Sequence, residues 1–293
     1  MAAIVIDGVA IAKLIRTELK QHVHALRTRG IQPGLAVVLL GENQASQLYT
    51  RAKVGACHEV GVYSEVHQLP ADSDESAALD LIRRLNRDPR IHGILVQLPL
   101  PPQLDAGCIL EEISADKDVD GFHVHNMGKL LAGASVYPPC TPYGVVKLLD
   151  AAGIPIAGRD AVVVGRSVIV GKPMALMLLE RGATVTFCHS QTHDLAAHTQ
   201  RADILVTAVG RPGLITADMV KPGAAVIDVG INRLPSGKVA GDVDFESVRA
   251  KAAYITPVPG GVGPMTVTML IANTVRAAER RVAGERAELH VAP

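Results

Sequence analysis

Apolar residues along this chain follow two patterns, a helical spacing and short uninterrupted runs. The helical spacing is clearest near the N-terminus, where it predicts an amphipathic helix over about residues 9–28, ended by Gly30 and Pro33. The short runs are typical of strands buried on both faces of a parallel sheet. In the first half of the chain, the predicted strands are residues 35–40, 62–69 and 91–98, and the predicted helices between them run from about Ser46 to Val60 and from Asp74 to about Asn86.

The alternation of strand and helix resumes after Gly158. Residues 160–165 are predicted to form a strand that is followed by a turn and a helix. Three further strands are predicted at 183–188, 203–209 and 224–230. Strands that alternate with helices build parallel sheets, and this spacing is the one that a dinucleotide-binding sheet requires. We therefore predict an α/β protein of two α/β domains with parallel sheets, the second of Rossmann type, with a cleft between them.

The boundary between the two domains is predicted in the segment YPPCT, near Tyr137–Thr141. We assign residues 1–139 to an N-terminal domain and residues 140–263 to the Rossmann-type domain. A final helix is predicted over about residues 264–282, with Pro264 in its first turn. This helix is able to pack on either domain, and we favour the N-terminal one.

The composition supports a folded protein and indicates no macromolecular partner. Hydrophobic residues make up 48% of the chain, which is enough for a sizeable core, and aromatic residues only 3%, so the core is expected to consist of Ala, Val, Ile and Leu. Lys and Arg together number 29 and equal Asp and Glu at 29, so the net charge gives no reason to expect binding to nucleic acid or to an anionic membrane. The four cysteines form no C-x-x-C pair, which favours reduced thiols in a cytosolic protein.

Neither end of the chain indicates a membrane protein. Asp7 and Lys13 interrupt the first apolar run too early for a signal peptide, so we expect a cytoplasmic location. Residues 252–275 contain no charged residue, and this stretch is long enough to span a bilayer. Prolines and glycines at 257–264 interrupt this stretch, however, so we interpret it as a loop followed by a helix.

The turn after the strand at 160–165 has the features of a phosphate-binding turn. Gly165 ends the strand and Gly171 follows six residues later, with Ser167 where the ordinary G-x-G-x-x-G pattern has its second glycine. Arg166 and Ser190, which follow two successive strands, suit the 2′-phosphate of NADP, because no Asp or Glu stands at the strand end where NAD-preferring enzymes have one. A structural turn with a solvated arginine is the alternative.

Two motifs in the N-terminal half place polar groups together. Tyr49 and Lys53 are four residues apart in a predicted helix and therefore share one face, where a phenol ring and an amine suit a flat heteroaromatic ligand. Gln97 ends a buried parallel strand, at the sheet edge where α/β proteins bind ligands. Taken singly, the first motif is more typical of a surface pair than of a ligand site. The alternative for the second motif is a hydrogen-bonded core amide.

Two further segments stand out by composition. DKDVDGFH (116–123) brings Asp116, Asp118 and Asp120 together, but it lacks the other ligands of a calcium loop, so we assign no metal. PVPGGVGPMT (257–266) is the segment richest in glycine and proline, and such a rigid loop is able to lay its backbone along a ligand or to serve as a connector between domains.

Taken together and in this order, the motifs resemble those of the bifunctional methylenetetrahydrofolate dehydrogenase/cyclohydrolase family. The resemblance runs from about Asp7 to the last helix and rests on the segments SQLYTRAK, VQLPLP, DKDVDGFH, VVVGRSVIVGKP and PVPGGVGPMT. One departure is visible, since Val124 and His125 stand before Asn126 where the family usually has a proline after GFH. A proline there shapes a loop and performs no chemistry.

The resemblance implies that the chain oxidises 5,10-methylenetetrahydrofolate with NADP+ and hydrolyses the methenyl product to 10-formyltetrahydrofolate, as a homodimer without a metal. It implies that Lys53 is the catalytic acid or base of the hydrolysis, that Gln97 tunes this lysine, and that Tyr49 and Asp120 position the pterin. The implied substrate-binding residues are Tyr49, Lys53, Gln97, Leu98, Asp120, Pro259, Gly260 and Gly261. The implied NADP-binding residues are Gly165, Arg166, Ser167, Ser190, Ile231 and Thr266.

Two other functions remain open at this point. A two-domain NADP dehydrogenase of the shikimate type also has a catalytic lysine and aspartate in an N-terminal α/β domain, but VQLPLP together with PGGVGPMT is not expected there. A nucleotide-binding sensor that kept the fold is expected to have lost Lys53 or Asp120, and both are present.

Overall fold

The computed structural model describes the backbone of residues 2–289 and, apart from Ala45, the side chains of residues 2–281. The chain divides into two compact units, which are described separately below. The three-stranded unit comprises Leu14–Cys140 and Val267–Pro293, and the six-stranded unit comprises Met1–Lys13 and Thr141–Thr266.

Strands and helices alternate along most of the chain. In chain order they are β1 (Ile4–Val5), α1 (Gly8–Arg27), β2 (Gly34–Leu40), α2 (Gln44–Val60), β3 (Tyr63–Leu69), α3 (Glu75–Arg87), β4 (Gly93–Val96), α4 (Ala106–Glu111), α5 (Val124–Leu131), α6 (Cys140–Ala151), β5 (Asp160–Val164), α7 (Gly171–Glu180), β6 (Thr184–Cys188), α8 (Leu195–Thr199), β7 (Ile204–Thr207), a 3-10 helix (Ala217–Met219), β8 (Ala225–Asp228), β9 (Asn232–Arg233), β10 (Val239–Ala240), α9 (Phe245–Arg249), β11 (Tyr254–Ile255) and α10 (Val262–Leu289).

The three-stranded unit is built around β2, the middle strand of a parallel sheet in the order β3-β2-β4. All seven residues of β2 are buried, as expected for a strand with neighbours on both sides and helices over its faces. The sequence prediction of these strands and of the helices between them is confirmed, including Asp74 as the cap of α3, whose carboxylate accepts from the N–H of Ala77 at 2.8 Å. The carboxyl ends of β2 and β4 therefore share one edge of this sheet.

The six-stranded unit contains a parallel sheet in the order β1-β11-β8-β7-β5-β6. The chain leaves β5 to form β6 on one side and then returns to form β7 on the other side. The strand order thus reverses at β5, and open α/β sheets bind their ligands beyond the carboxyl ends of the strands at such a point. The predicted Rossmann-type sheet is confirmed, and its candidate site lies after β5 and β7.

The division into units differs from the predicted limits at the N-terminus. The prediction placed residues 1–139 in one domain, whereas β1 pairs with β11 in the six-stranded sheet, with Ile4 opposite Tyr254. A two-residue strand with both side chains exposed has no periodicity that a sequence pattern reveals. Residues from Val267 onward group with the three-stranded unit.

None of the helices within residues 2–289 has the length and apolar character that crossing a membrane requires. The uncharged stretch at 252–275 consists of β11, a loop and the first half of α10. The prediction of a loop followed by a helix is therefore confirmed for this stretch.

The exposed helix position Gly55 offers a test of the local structure of α2. No described atom lies within 4 Å of an ideal Cβ built on Gly55, and its backbone is helical. Gly55→Ala is therefore expected to stabilise the protein by about 0.5–1 kcal/mol, because alanine loses less backbone entropy on folding. The measurement is the thermal unfolding midpoint. Gly61→Ala is the matched control. Gly61 has φ of 89°, so an alanine there is strained and is expected to lower the midpoint. A lower midpoint for Gly55→Ala would contradict the assignment of Gly55 to an open, helical position.

Candidate active site

A lysine and a glutamine from separate elements meet at the carboxyl edge of the three-stranded sheet. Lys53 lies on α2, and Gln97 directly follows β4, where its backbone N–H still donates to the carbonyl of Val38. The ammonium or amine nitrogen Nζ of Lys53 lies 2.9 Å from Oε1 of Gln97. Nε2 of Gln97 donates to the carbonyl of Leu98 at 2.7 Å, so the amide oxygen is turned towards the lysine. The family resemblance implied that Gln97 acts on Lys53, and the two side chains do lie together.

The environment of Lys53 favours its uncharged form. The side chain is only 9% exposed, and burial lowers its pKa from the ordinary 10.5, against the opposing effect of the negative charge of Asp120. Gln97 supplies an uncharged acceptor, so it orients the nitrogen without holding the proton on it as a carboxylate does. The result is a lysine able to exchange a proton nearer to neutral pH.

Asp120 belongs to the same cluster. Burial raises the pKa of the Asp120 carboxyl, and the positive charge of Lys53 opposes this rise. Each of the two charges shifts the pKa of the other group, so Asp120 lies within electrostatic reach of Lys53. The predicted trio of Lys53, Gln97 and Asp120 therefore occupies one region of the three-stranded unit.

The loop that carries Asp120 is held by its neighbour Asp118. Oδ1 of Asp118, which is 2% exposed, accepts from the N–H groups of Gly121 at 3.0 Å and Phe122 at 3.2 Å. Its Oδ2 accepts from the N–H of His123 at 2.9 Å and from the side-chain amide of Asn126 at 2.8 Å. The acidic residues of DKDVDGFH thus differ in role, since Asp118 binds backbone. Among the side chains that the structure describes, which end at residue 281, no group of three or more His, Cys, Asp or Glu is arranged to hold a metal ion.

Tyr49 and Leu98 lie on the two elements that supply Lys53 and Gln97. Tyr49 is one helical turn before Lys53 on α2 and is 37% exposed, so its ring is accessible beside the lysine. Leu98 is partly buried and precedes Pro99 through a cis peptide bond. Both positions are compatible with the substrate contacts implied by the family resemblance.

One further group lies next to this cluster and was not among the predicted site residues, the thiol of Cys140. Its Sγ donates to the carbonyl of Val119 at 3.3 Å, and burial followed by the charge of Asp120 raises its pKa well above the ordinary value. Nδ2 of Asn273 on α10 donates to the same carbonyl at 2.9 Å and contacts Sγ at 3.7 Å. In the sequence, Cys140 stood out only as part of the domain boundary YPPCT, so no local pattern connected it with Asp120.

The glycine turn of the six-stranded unit is tightly closed. Gly165 has φ of 131°, and a Cβ at this position would lie 2.5 Å from the carbonyl oxygen of Ala208. A Cβ on Gly171 would lie 2.1 Å from the carbonyl oxygen of Gly165. Ser167 connects the turn to the start of the following helix, since its Oγ accepts from the N–H groups of Val170 at 3.2 Å and Gly171 at 3.3 Å. Glycine is therefore required at both ends of the turn.

Arg166 and Ser190 lie where a 2′-phosphate is read in such folds. Both residues are exposed, and Nη1 of Arg166 reaches Oε1 of Gln191 at 3.4 Å, so the guanidinium extends to the loop that carries Ser190. The nearest acid further along this loop, Asp194, instead caps α8 through the N–H of Ala197. A cation and a hydroxyl without a competing carboxylate fit NADP.

The remaining predicted residues also lie in the six-stranded unit. Ile231 lies between β8 and β9 and is 50% exposed. The hydroxyl of Thr266 lies 3.0 Å from that of Thr141. Residues 259–261 form a loop after β11 that packs against the start of α1, where a Cβ on Gly8 would lie 1.8 Å from the carbonyl oxygen of Gly261.

Comparison with known proteins matches nearly the whole chain. A family model described as the tetrahydrofolate dehydrogenase/cyclohydrolase catalytic domain matches residues 6–120, and one described as the NAD(P)-binding domain of the same family matches residues 139–282.

The bifunctional protein FolD of Paraburkholderia xenovorans is 60% identical over 97% of this chain and 99% of its own length. The crystal structure of the FolD dehydrogenase/cyclohydrolase of Campylobacter jejuni superimposes with a TM-score of 0.94 at 52% identity, over 96% of this chain and 100% of that chain. The enzyme of Trypanosoma brucei, crystallised with NADP cofactor and an inhibitor, gives a TM-score of 0.93 at 41% identity, over 96% and 99%.

Proposed function

Because this chain belongs to the tetrahydrofolate dehydrogenase/cyclohydrolase family, we propose that it is a bifunctional enzyme of one-carbon metabolism. It oxidises 5,10-methylenetetrahydrofolate to 5,10-methenyltetrahydrofolate with NADP+ and hydrolyses the methenyl product to 10-formyltetrahydrofolate. The observation that carries the hydrolytic half is the buried Lys53, whose nitrogen lies 2.9 Å from an uncharged acceptor. The alternative of a shikimate-type dehydrogenase is excluded by the family assignment.

Hydrolysis of the methenyl group requires a proton acceptor, because water attacks a cationic carbon and must lose a proton. A lysine with the usual pKa of about 10.4 is almost fully protonated at pH 7 and is unable to serve. The low exposure of Lys53 lowers its pKa, and a cationic substrate beside it acts in the same direction. We assign Lys53 as the group that exchanges this proton and Gln97 as the residue that orients its nitrogen.

Binding of the pterin is assigned to the residues around this lysine. Asp120 offers a carboxyl group to the amino and ring nitrogens of the pterin, and Tyr49 offers an accessible ring to its face. Asp118 keeps the loop of Asp120 in place through its backbone hydrogen bonds. Leu98 and residues 259–261 are assigned to substrate binding on the strength of the family motifs that contain them.

Oxidation requires little acid or base chemistry from the protein, because the folate nitrogen's lone pair assists departure of the hydride. NADP+, when bound, accepts this hydride. The glycine turn from Gly165 to Gly171 holds the pyrophosphate, with Arg166 and Ser190 on the 2′-phosphate, and we assign Ser167, Ile231 and Thr266 to the same site. The chain's contribution is to bind and orient the cofactor at the carboxyl ends of β5 and β7. We further propose that the enzyme works in the cytoplasm as a homodimer, with the two compact units described above as its working domains.

The experiment that tests this function follows both reactions with the purified chain. Reduction of NADP+ and of NAD+ is measured with methylenetetrahydrofolate, and decay of methenyltetrahydrofolate is measured by absorbance without a nucleotide. We expect both reactions, with NADP+ preferred. Binding of NADP+ and folate without turnover would instead support a sensor that has lost its activity. Mass measurement by light scattering tests the homodimer.

The uncharged acceptor at position 97 predicts a change in pH dependence. If the free amine of Lys53 is the active form, the hydrolysis rate rises as pH passes upward through the pKa of this group. Gln97→Glu places a carboxylate on the amine, stabilises the charged form and raises that pKa, so the rising limb moves to higher pH. We expect the rate at neutral pH to fall by about tenfold or more, with partial recovery in alkaline solution.

The matched control for this prediction is Gln103→Glu. Gln103 is exposed, and its amide donates to the carbonyl of Ala71, so the same change of charge occurs away from Lys53. This variant is expected to keep the pH profile of the wild type. An unchanged profile for Gln97→Glu would show that the amide at this position has no influence on the proton transfer.

A further inference from the structure

Two buried carboxylates lie at the carboxyl edge of the six-stranded sheet, beside the candidate NADP site. Asp228 is the last residue of β8 and is 3% exposed, and Asp242 follows β10 and is fully buried. Burying a carboxylate is costly unless hydrogen-bond donors surround it. The backbone donors around these two side chains come from the loops that follow β7, β8 and β10.

Asp242 binds three successive backbone amides of the loop after β7. Its Oδ2 accepts from the N–H of Val209 at 2.7 Å and of Gly210 at 3.2 Å, and its Oδ1 accepts from the N–H of Arg211 at 2.8 Å. Oδ1 also accepts from the side-chain amide of Asn232 at 3.0 Å. Three consecutive N–H groups form a typical anion-binding concavity, and here the protein's own carboxylate fills it.

Asp228 holds Asp242 in its place. Its Oδ1 accepts from the backbone N–H groups of Gly230 at 2.9 Å and of Asp242 at 3.0 Å, and its Oδ2 accepts from that of Val243 at 2.9 Å. Burial raises the pKa of Asp228 to about 6, which leaves it ionised at neutral pH and able to accept these three bonds and a fourth from the hydroxyl of Thr207 at 3.3 Å. The two carboxylates therefore connect the segments after β7, β8 and β10 into one network.

The loop bound by Asp242 forms a wall of the glycine turn. The carbonyl oxygen of Ala208, the residue before Val209, would lie 2.5 Å from a Cβ on Gly165, so the two backbones are in direct contact. Asn232, the other partner of Asp242, directly follows Ile231, which we assign to the NADP site. A single buried side chain thus fixes two loops that border the place where the cofactor is proposed to bind.

We propose that Asp242 is a positioning residue of the NADP site, which it shapes by holding the loops at 208–211 and 230–232. This inference rests on the proposed function only in taking NADP as the ligand of the six-stranded unit. An amide is unable to replace the carboxylate, because the NH2 group of asparagine would face a backbone N–H and leave it unpaired. The backbone of Gly230 packs closely against this carboxylate, since a Cβ on Gly230 would lie 2.3 Å from Cγ of Asp242.

The test compares the two activities of Asp242→Asn. The KM for NADP+ is expected to rise by about tenfold or more, with kcat changing less, because the pocket is misplaced while the chemistry is kept. Hydrolysis of added methenyltetrahydrofolate, which needs no NADP+ and is assigned to the three-stranded unit, is expected to remain within about twofold of the wild type. An unchanged KM for NADP+ would overturn the proposal.

Asp203→Asn is the matched control for a merely structural role. Asp203 makes the same type of bond in the same unit, accepting from the N–H of Asp160 at 3.0 Å, but it lies at the amino ends of β5 and β7. This variant is expected to lower the unfolding midpoint without raising the KM for NADP+. Equal increases of KM in both variants would mean that the effect comes from general destabilisation, which also overturns the proposal.

A milder variant keeps the test decisive if Asp242→Asn does not fold. Asn232→Ala removes one of the four donors to Asp242 and is expected to raise the KM for NADP+ in the same direction by a smaller factor. An unchanged KM in a folded Asn232→Ala would then refute the proposal. Direct titration of NADP+ into the wild type and both variants gives the same comparison if turnover fails, so failure of the proposed function is distinguished from failure of this inference.

Discussion

Lys53→Met is expected to reduce cyclohydrolase activity by about 10²–10⁴-fold, the usual contribution of a positioned acid or base, and to leave dehydrogenase activity measurable. Methionine has a similar length and no charge, so it fills the buried position of a side chain that is only 9% exposed. It offers no proton acceptor to the attacking water and no donor to Gln97. Parallel assays of NADP+ reduction and of methenyltetrahydrofolate decay measure the two activities in the same preparation.

The chain contains a second buried lysine that controls for the loss of charge and packing. Lys117 is 8% exposed, and its Nζ donates to the carbonyls of Leu85 and Asp88, both at 2.8 Å. Burial lowers the pKa of Lys117 to about 8. Lys117→Met is expected to lower stability while keeping the ratio of the two activities. If Lys53→Met lowered both activities equally with the fold intact, the assignment of Lys53 to hydrolysis alone would fail.

The sequence predicted the parts of the fold whose patterns are long enough to be periodic. The strand at 35–40 and the helix at 9–28 were both predicted. The corresponding elements β2 and α1 have 7 and 20 residues, so each shows its pattern of buried positions over enough of the sequence to be recognised. The strands β1 and β11 were missed. Each has two residues, and their pairing depends on contacts between positions about 250 residues apart in the chain. Local patterns carry no information about such pairing.

The candidate site shows a similar division. The strand pattern placed Gln97 at the ligand-binding edge of the sheet, but only the family resemblance implied that it acts on Lys53, from which it lies 2.9 Å away. Composition alone does not separate Asp118 from Asp120, and only the family resemblance singled out Asp120. The binding of backbone N–H groups by Asp118 is visible only in the structure. Cys140 was missed because a lone cysteine gives no spacing to interpret.

Gly171→Ala is expected to have the opposite selectivity to Lys53→Met. The new Cβ would lie 2.1 Å from the carbonyl oxygen of Gly165 and 2.9 Å from the backbone nitrogen of Arg166, and neither backbone atom can move as a flexible side chain does. The turn must open, which displaces the groups that hold the pyrophosphate. We expect kcat/KM for NADP+ to fall by about 10²-fold, the usual effect of a misplacement of about 1 Å. Hydrolysis of added methenyltetrahydrofolate is expected to persist.

Gly223→Ala separates this local effect from strain elsewhere in the same unit. Gly223 has φ of 82° and precedes β8, at the amino edge of the sheet, and none of the described atoms lies within 4 Å of its ideal Cβ. Its substitution is expected to lower the unfolding midpoint and to leave the KM for NADP+ as in the wild type. Retention of full NADP+ affinity in Gly171→Ala would mean that the turn is not the pyrophosphate site. Loss of hydrolysis along with oxidation would mean that the two activities do not divide between the lysine of one unit and the glycine turn of the other.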